Sequence, residues 1–217
     1  MSIRRYLLGP MDNNTYLIID EATREAALVD PSFDSEAILP DIRANEYMLR
    51  YILNTHAHYD HILGNAYFAA ETGAPIALHR ADLDLLHALP EQGRMFGVPV
   101  TPSPEPTIFL EDNATLMLGE TPIRVLFTPG HAPGHVTFLI GDVAIVGDCL
   151  FQGSIGRTDL PGGSLQTLMH SIRTRLLTLP DETQVLPGHG ELTTIGSERE
   201  SNPYLQGRGK SKDERQG

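Results

Sequence analysis

Short apolar runs alternate with polar, turn-forming stretches along this chain, and the pattern divides it into two similar halves. Residues 16–19, Tyr-Leu-Ile-Ile, and residues 26–29, Ala-Ala-Leu-Val, flank a polar stretch at 20–25, which predicts a hairpin of strands. Pro31 and Ser32 lead to a helix over 35–45, with Asp34 or Ser35 as its cap. Residues 49–53 predict a third strand, and 62–72 a helix closed by Gly73. A strand at 76–78 and a short helix at 81–89 follow. The proline-rich stretch 90–106 reads as a loop or flap. The second half repeats the theme, with strands at 116–118, 123–127, 137–140 and 143–146. A helix then runs from Gly163-Ser164 to about Leu177, followed by a strand at 184–186 and a terminal helix at 194–201. The apolar spacing of Leu165, Leu168, Ile172 and Leu176 marks the core face of the long helix. Two packed sheets with helices outside would bury both sets of strands, an αβ/βα sandwich in the α/β class. Residues 1–205 read as one domain, and the polar tail 206–217 as a disordered extension.

Composition narrows the functions. The length of 217 residues suits one domain, and 41% hydrophobic with 20% charged residues is ordinary for a globular protein. A net charge of −12 repels phosphate backbones, so nucleic acid is not an expected partner. Cys149 is the only cysteine, so no internal disulfide can form. Gly9 and Pro10 interrupt the N-terminus too early for a signal peptide, and no apolar run approaches the ~20 residues that span a bilayer. No membrane partner and a cytoplasmic location are the expectations.

The chemistry is concentrated at Thr55-His56-Ala57-His58-Tyr59-Asp60-His61, with the pattern His-x-His-x-Asp-His. Buried without a cation, these groups would be costly, and protonated they would crowd like charges. Around a divalent ion every lone pair has a partner, and mixed nitrogen and oxygen donors suit zinc, iron or manganese better than calcium or magnesium. His56 and His58, two apart in extended chain, point the same way. Asp60 and His61 fall on the turn into the next helix. Three further strands end in Gly130-His131, Gly147-Asp148 and Gly188-His189, each with a glycine that lets the backbone turn tightly beside a site.

With His56-x-His58-x-Asp60-His61, His131, Asp148 and His189 together, the chain resembles the metallo-β-lactamase-fold hydrolases from about Asn13 to Leu205. Within them it looks most like the small, single-domain glyoxalase II-like (hydroxyacylglutathione hydrolase) members. Supporting segments are Thr128-Pro-Gly-His-Ala-Pro-Gly-His135, Gly147-Asp-Cys-Leu-Phe151 and the glycine-rich stretch 153–163. The resemblance implies a four-layer αβ/βα sandwich of the metallo-β-lactamase type and two divalent metal ions, zinc first with iron or manganese as alternatives. His56, His58 and His131 would hold one ion, Asp60, His61 and His189 the other, and Asp148 would bridge them. A metal-bridging hydroxide would then attack a small-molecule thioester such as S-lactoylglutathione, with Asp60 as the catalytic carboxylate. A thiolate, with a parent pKa of ~8.5, leaves without help from an acid, which favours thioesters over amides. Other readings are a persulfide dioxygenase-like oxidoreductase with one iron, a lactonase or other ester hydrolase, and a scaffold with vestigial chemistry.

The chain departs from two-domain glyoxalase II enzymes, because little follows His189 to supply the basic residues that grip glutathione. Arg157 is the candidate for an anionic substrate group, although a loop-shaping ion pair with Asp159 explains it equally well. His135 reads as a support for a ligand or loop. Cys149 reads as a small buried hydrophobe, and His79, His87 and His170 as solvated or core-edge residues. Tyr59 carries no assigned role. The oligomeric state does not follow from the sequence.

Overall fold

Every residue of Asn13–Asp20 is buried, which requires a strand covered on both faces. The computed structural model that contains it describes residues 1–206. In chain order the first half comprises β1 (Ser2–Leu8), β2 (Asn13–Asp20), β3 (Glu25–Val29), α1 (Leu39–Ala44), β4 (Met48–Leu53), α2 (Tyr59–Ile62), α3 (Asn65–Thr72), β5 (Ile76–His79), α4 (Leu83–His87), α5 (Leu89–Phe96) and β6 (Ile108–Leu110). Its six strands form one sheet in sequential order. The β1–β2 and β2–β3 pairs are antiparallel, and β3–β4, β4–β5 and β5–β6 are parallel.

The second half comprises β7 (Thr115–Leu118), β8 (Thr121–Phe127), β9 (Val136–Ile140), β10 (Val143–Gly147), β11 (Leu150–Phe151), β12 (Ser154–Ile155), α6 (Leu165–Ser171), β13 (Gln184–Pro187), β14 (Thr193–Thr194) and α7 (Ile195–Ser201). A second six-stranded sheet runs in the order β14-β13-β10-β9-β8-β7, and β11 with β12 makes a small ribbon. Only β10 and β13 pair in parallel within this sheet.

Alternation along the strands divides the core into layers. Tyr16, Ile18 and Val29 meet Val125, Phe138 and Ile145 between the sheets. Leu17, Ile19 and Leu28 face outward onto Ile38, Leu39, Ile42 and Phe68. On the far side, Ala144, Val146 and Val185 pack on Leu168, Ile172 and Leu176. Helix, sheet, sheet and helix are therefore stacked as the expected four-layer αβ/βα sandwich. Among the described residues no helix is long and apolar enough to cross a membrane.

The predicted hairpin forms with Tyr16 opposite Val29. The long second-half helix starts where expected, with the Ser164 side chain accepting a hydrogen bond from the Thr167 amide at 3.3 Å. Its last turns, Ile172–Leu176, widen into a π helix. Ser164→Ala is expected to lower unfolding free energy by about 1 kcal/mol, whereas Ser164→Asp, which can also cap, retains most of it. Urea unfolding midpoints of the two variants make the comparison.

Other expectations need correction. The helix at 35–45 opens as a 3-10 turn, Ser35–Ile38, and Asp34 makes no side-chain cap because its own backbone is left-handed at φ 55°. The helix at 62–72 is two pieces, α2 and α3, divided at Leu63 and Gly64. A Cβ on Gly64 would stand 2.3 Å from Ser35 Oγ. Strands β1 and β6 carried too little alternation to be read. The stretch 90–106 is not all loop: Pro90 sits in the first turn of α5, where a missing amide costs nothing. Gln92 on that helix accepts from the Tyr59 amide at 3.0 Å and donates to Ala57 O at 3.3 Å, so this part is pinned and not a loose flap. At the C-terminus, Gln206 donates to Arg199 O at 2.7 Å, while 207–217 of the expected tail lie outside the described residues.

Candidate metal centre

Strand ends from both sheets meet at one place. His56 and His58 leave β4. Asp60 and His61 stand in the single turn α2 and not in a loop, so successive side chains fan toward the same space. His131 lies between β8 and β9, Asp148 directly follows β10, and His189 follows β13 after Gly188. Nδ1 of His58 is 2.9 Å from Nε2 of His131, and the His56 ring centroid is 4.8 Å from each of theirs. Nε2 of His189 is 3.1 Å from Asp60 Oδ2 and 3.3 Å from His61 Nε2. Asp148 spans the two groups: its Oδ2 is 3.6 Å from His131 Nε2 and 3.5 Å from His189 Nε2, and its Oδ1 is 3.5 Å from His61 Nε2. The seven residues singled out in the sequence thus form one cluster. His56, His58 and His131 make one set able to hold a cation, and Asp60, His61 and His189 another.

Hydrogen-bond partners assign the ring protons. His131 Nδ1 lies 2.8 Å from Arg157 O and His189 Nδ1 3.0 Å from Met11 O, so both nitrogens are N–H donors. His61 Nδ1 faces Asp30 Oδ2 at 3.2 Å. The Thr55 hydroxyl spends its proton on Asp30 Oδ2 at 2.6 Å and so accepts from His56 Nδ1 at 3.0 Å. Neutral, all four rings turn an Nε2 lone pair inward. His56 Nε2, His58 Nε2 and Asp148 Oδ1 are buried without a hydrogen-bond partner. Two nitrogens bound at ~2.1 Å around a tetrahedral ion stand about 3.4 Å apart, close to the 3.3 Å between His61 and His189. The donors present fit divalent metal ions.

The two sets differ electrically. Burial holds His56 well below the usual imidazole range, and burial with His131 nearby takes His58 down to about 3. His131 is lowered by burial too. Protons do not fill this set at neutral pH. At the other set burial opposes charge, yet Asp60 and Asp148 outweigh it and raise His61 well above its ordinary value. Burial likewise opposes charging of His189, and Asp148 with Asp60 raises it. Both carboxylates, despite burial, are held well down by His61 and its neighbours. The carboxylate-bearing set demands positive charge, from protons or from a cation.

Several supporting residues were not read from the sequence. Asp30, at the end of β3, accepts from the Thr55 amide at 2.8 Å as well as from Thr55 Oγ1 and His61. The same strand-end signal that marked Asp148 was present in Val29-Asp30-Pro31. Asn13 donates to Asp60 Oδ2 at 3.0 Å and to Asp60 O at 3.1 Å. His135 does support a neighbour, as expected: its Nε2 accepts from the Asp148 amide at 3.1 Å. Cys149 is packed in the outer core with its thiol pKa pushed up by burial. Tyr59 stacks on Phe96 at 4.7 Å between centroids. His79 accepts from the Ala81 amide and His87 faces Glu105, both apart from the cluster. At Gly188 a Cβ would fall 2.2 Å from Asp148 Oδ1, and Gly147 holds φ at +49°, so the glycines beside the ligands are sterically required.

A cleft of about 270 Å³ adjoins Asp148 and His189 and is lined by Phe151, Ser154, Ile155, Arg157, Leu165 and Tyr204 among others. Arg157 faces it, with Nε and Nη2 each 2.7 Å from the two oxygens of Asp159. This is the loop-shaping pair anticipated as one of its two roles.

The comparisons agree with this geometry. The model of the metallo-beta-lactamase superfamily matches residues 8–189. The chain is 38% identical to the probable metallo-hydrolase YqgX of Bacillus subtilis, across 95% of this chain and 99% of that protein. It is also 38% identical to hydroxyacylglutathione hydrolase GloC of Haemophilus influenzae, across 94% and 98%. Among solved structures it resembles the BLEG-1 B3 metallo-beta-lactamase, with a TM-score of 0.87, 37% identity and coverage of 94% and 99%. The di-iron-bound form of TTHA1623 gives 0.85, 38% identity and coverage of 93% and 100%. ETHE1 from Myxococcus xanthus gives 0.80, 30% identity and coverage of 99% and 88%.

Proposed function

This chain belongs to the metallo-β-lactamase superfamily and is a metallo-hydrolase of that family; from that premise we propose that it hydrolyses a thioester, such as S-lactoylglutathione, at a two-metal centre. The observation that carries the reading is the inward convergence of lone pairs and carboxylate oxygens from His56, His58, Asp60, His61, His131, Asp148 and His189. His56, His58 and His131 would hold one ion and Asp60, His61 and His189 the other, with Asp148 shared; zinc is the first choice. Divalent cations held there would lower the pKa of bound water to near neutral and would stabilise the negative charge that develops on the substrate's carbonyl oxygen.

The chain's own residues do the rest. Asp60 is the catalytic carboxylate: fixed by Asn13 and kept ionised, it accepts a hydrogen bond from the attacking water and orients it toward the carbonyl carbon. Apolar Phe151, Ile155 and Leu165 shield one side of the cleft from water. The Nδ1 protons of His56, His61, His131 and His189 are committed to oxygen acceptors, so these groups are poorly suited to protonate an amine leaving group. A thiolate needs no such acid. Arg157 brings positive charge to the cleft for an anionic substrate group, tempered by Asp159. The similarity to GloC supports the thioester assignment.

Metal analysis and a panel of thioesters, lactones and β-lactams test the reading. The expected outcome is two ions per chain and a kcat/KM of at least about 10⁴ M⁻¹s⁻¹ for the best thioester. Equal or better turnover of β-lactams or lactones would overturn the thioester choice. A second reading, the persulfide dioxygenase type, rests on Gly156-Arg157-Thr158-Asp159 and needs one iron on His56, His131 and Asp148. The intact Asp60, His61 and His189 set weighs against it, and oxygen uptake with glutathione persulfide discriminates.

A further inference from the structure

Asp82 is fully buried, at 0% exposure, and lies outside every cluster described so far. It ends the short turn Arg80–Asp82 that follows β5. One carboxylate oxygen accepts from the Ala57 amide at 3.0 Å, and the other accepts from the Gly134 amide. Ala57 stands between His56 and His58, and Gly134 is in the β8–β9 loop that carries His131. No Lys or Arg pairs with Asp82 among the described residues. Burying an ionised carboxylate without a cation is costly, so its two charge-assisted bonds must be made where they stand. Gly134 is shaped to the same contact, since a Cβ there would fall 2.8 Å from Asp82 Oδ1. Burial raises the Asp82 pKa to about 6, so it is still a carboxylate at neutral pH.

The Val136 amide also joins the two loops, donating to Thr55 O at 2.8 Å, but among the described residues Asp82 is the buried carboxylate that accepts an amide from each of them. His56 and His58 reach their places from the first sheet and His131 from the second, and three neutral imidazoles have no charge of their own to draw the loops together. The Asp60, His61 and His189 set is held differently, by Asn13, Asp30 and the Met11 carbonyl.

Resting on the two-metal reading above, we propose that Asp82 is the positioning residue of the three-histidine metal position, clamping the His56–His58 loop to the His131 loop so that their nitrogens are spaced before a cation arrives. An amide at this place has one acceptor oxygen and cannot serve both N–H groups.

Stepwise titration of the metal-free full chain with Co²⁺ against a competing chelator, followed by the cobalt absorption bands, tests the clamp. Wild type should take two ions. Asp82→Asn should weaken one position by about 10- to 100-fold and leave the second within about twofold. The band lost first should be that of the three-nitrogen site. Glu198→Gln, at an equally buried carboxylate that accepts from the Gly153 amide away from these loops, should leave both affinities unchanged. Equal weakening of both positions in Asp82→Asn, or no weakening, overturns the proposal. If wild type itself takes up no ion, the two-metal reading falls and this inference with it. If wild type takes two and Asp82→Asn matches it, only the inference falls. Should Asp82→Asn not fold, hydrogen exchange in wild-type metal-free protein decides: slow exchange at both Ala57 and Gly134 supports the clamp, and fast exchange at either overturns it.

Discussion

Asp148→Ala is expected to reduce thioester turnover by at least about 10³-fold, the scale on which removing preorganised charge from a reacting centre acts. Asp148 puts its oxygens between the two histidine sets, with His131 and His189 on Oδ2 and His61 on Oδ1. Without it, the two positions share no ligand and lose a negative charge that each needs to hold a dication. Metal content should fall from two ions per chain toward one or none. The fold should survive, because Asp148 sits at the strand end and the apolar contacts of Ala144, Val146 and Leu150 around it are untouched. Turnover at saturating substrate, elemental analysis and circular dichroism together make the measurement. Turnover within tenfold of wild type, with two ions retained, would remove the basis for the two-metal reading.

Stripping the metal is expected to abolish turnover and to lower the thermal midpoint together. A ligand that binds only the folded state at a thousandfold over its Kd stabilises it by about 4 kcal/mol. For a chain of this size each kcal/mol moves the midpoint by about 2–4 °C, so each saturated position is worth on the order of 10 °C. The physical reason lies in the cluster. His56 Nε2, His58 Nε2 and Asp148 Oδ1 have no hydrogen-bond partner, and burial drives protons off His56, His58 and His131. Stripped of cations, the folded state keeps dry, unsatisfied lone pairs that the unfolded state would hydrate. Calorimetry before chelation, after it and after restoring Zn²⁺ gives the comparison. Activity that survives complete removal of metal would sink the assignment. A midpoint that stays put would mean that the ions bind folded and unfolded chains alike.

Much of the centre was legible because its ligands carry local signatures. His56 and His58 are two apart at the end of an apolar run. Gly130-His131, Gly147-Asp148 and Gly188-His189 each close another run. The doubled order of strands and helices likewise gave the layering. What stayed illegible had weak or misleading local patterns. The edge strand β1, Ser-Ile-Arg-Arg-Tyr-Leu-Leu, is half-buried along nearly all its length and so shows no alternation. Pro90 looked like a breaker, yet the first turn of a helix tolerates it. Asp30, Asn13 and Asp82 are ordinary polar residues until the partners that give them work are in view.

By itself, then, the sequence determined which groups can bind metal and that strands deliver them, because side-chain direction along an extended chain repeats every two residues. Only the tertiary structure decided which of those groups meet. His58 touches His131 across 73 residues, and His61 touches His189 across 128. Such pairings follow from how two twisted sheets stack and where their loops come to rest, which no spacing along the chain encodes. The same holds for ring tautomers, for the Arg157–Asp159 pair and for the Asp82 clamp: each is a hydrogen bond whose donor and acceptor become neighbours only after the core has closed.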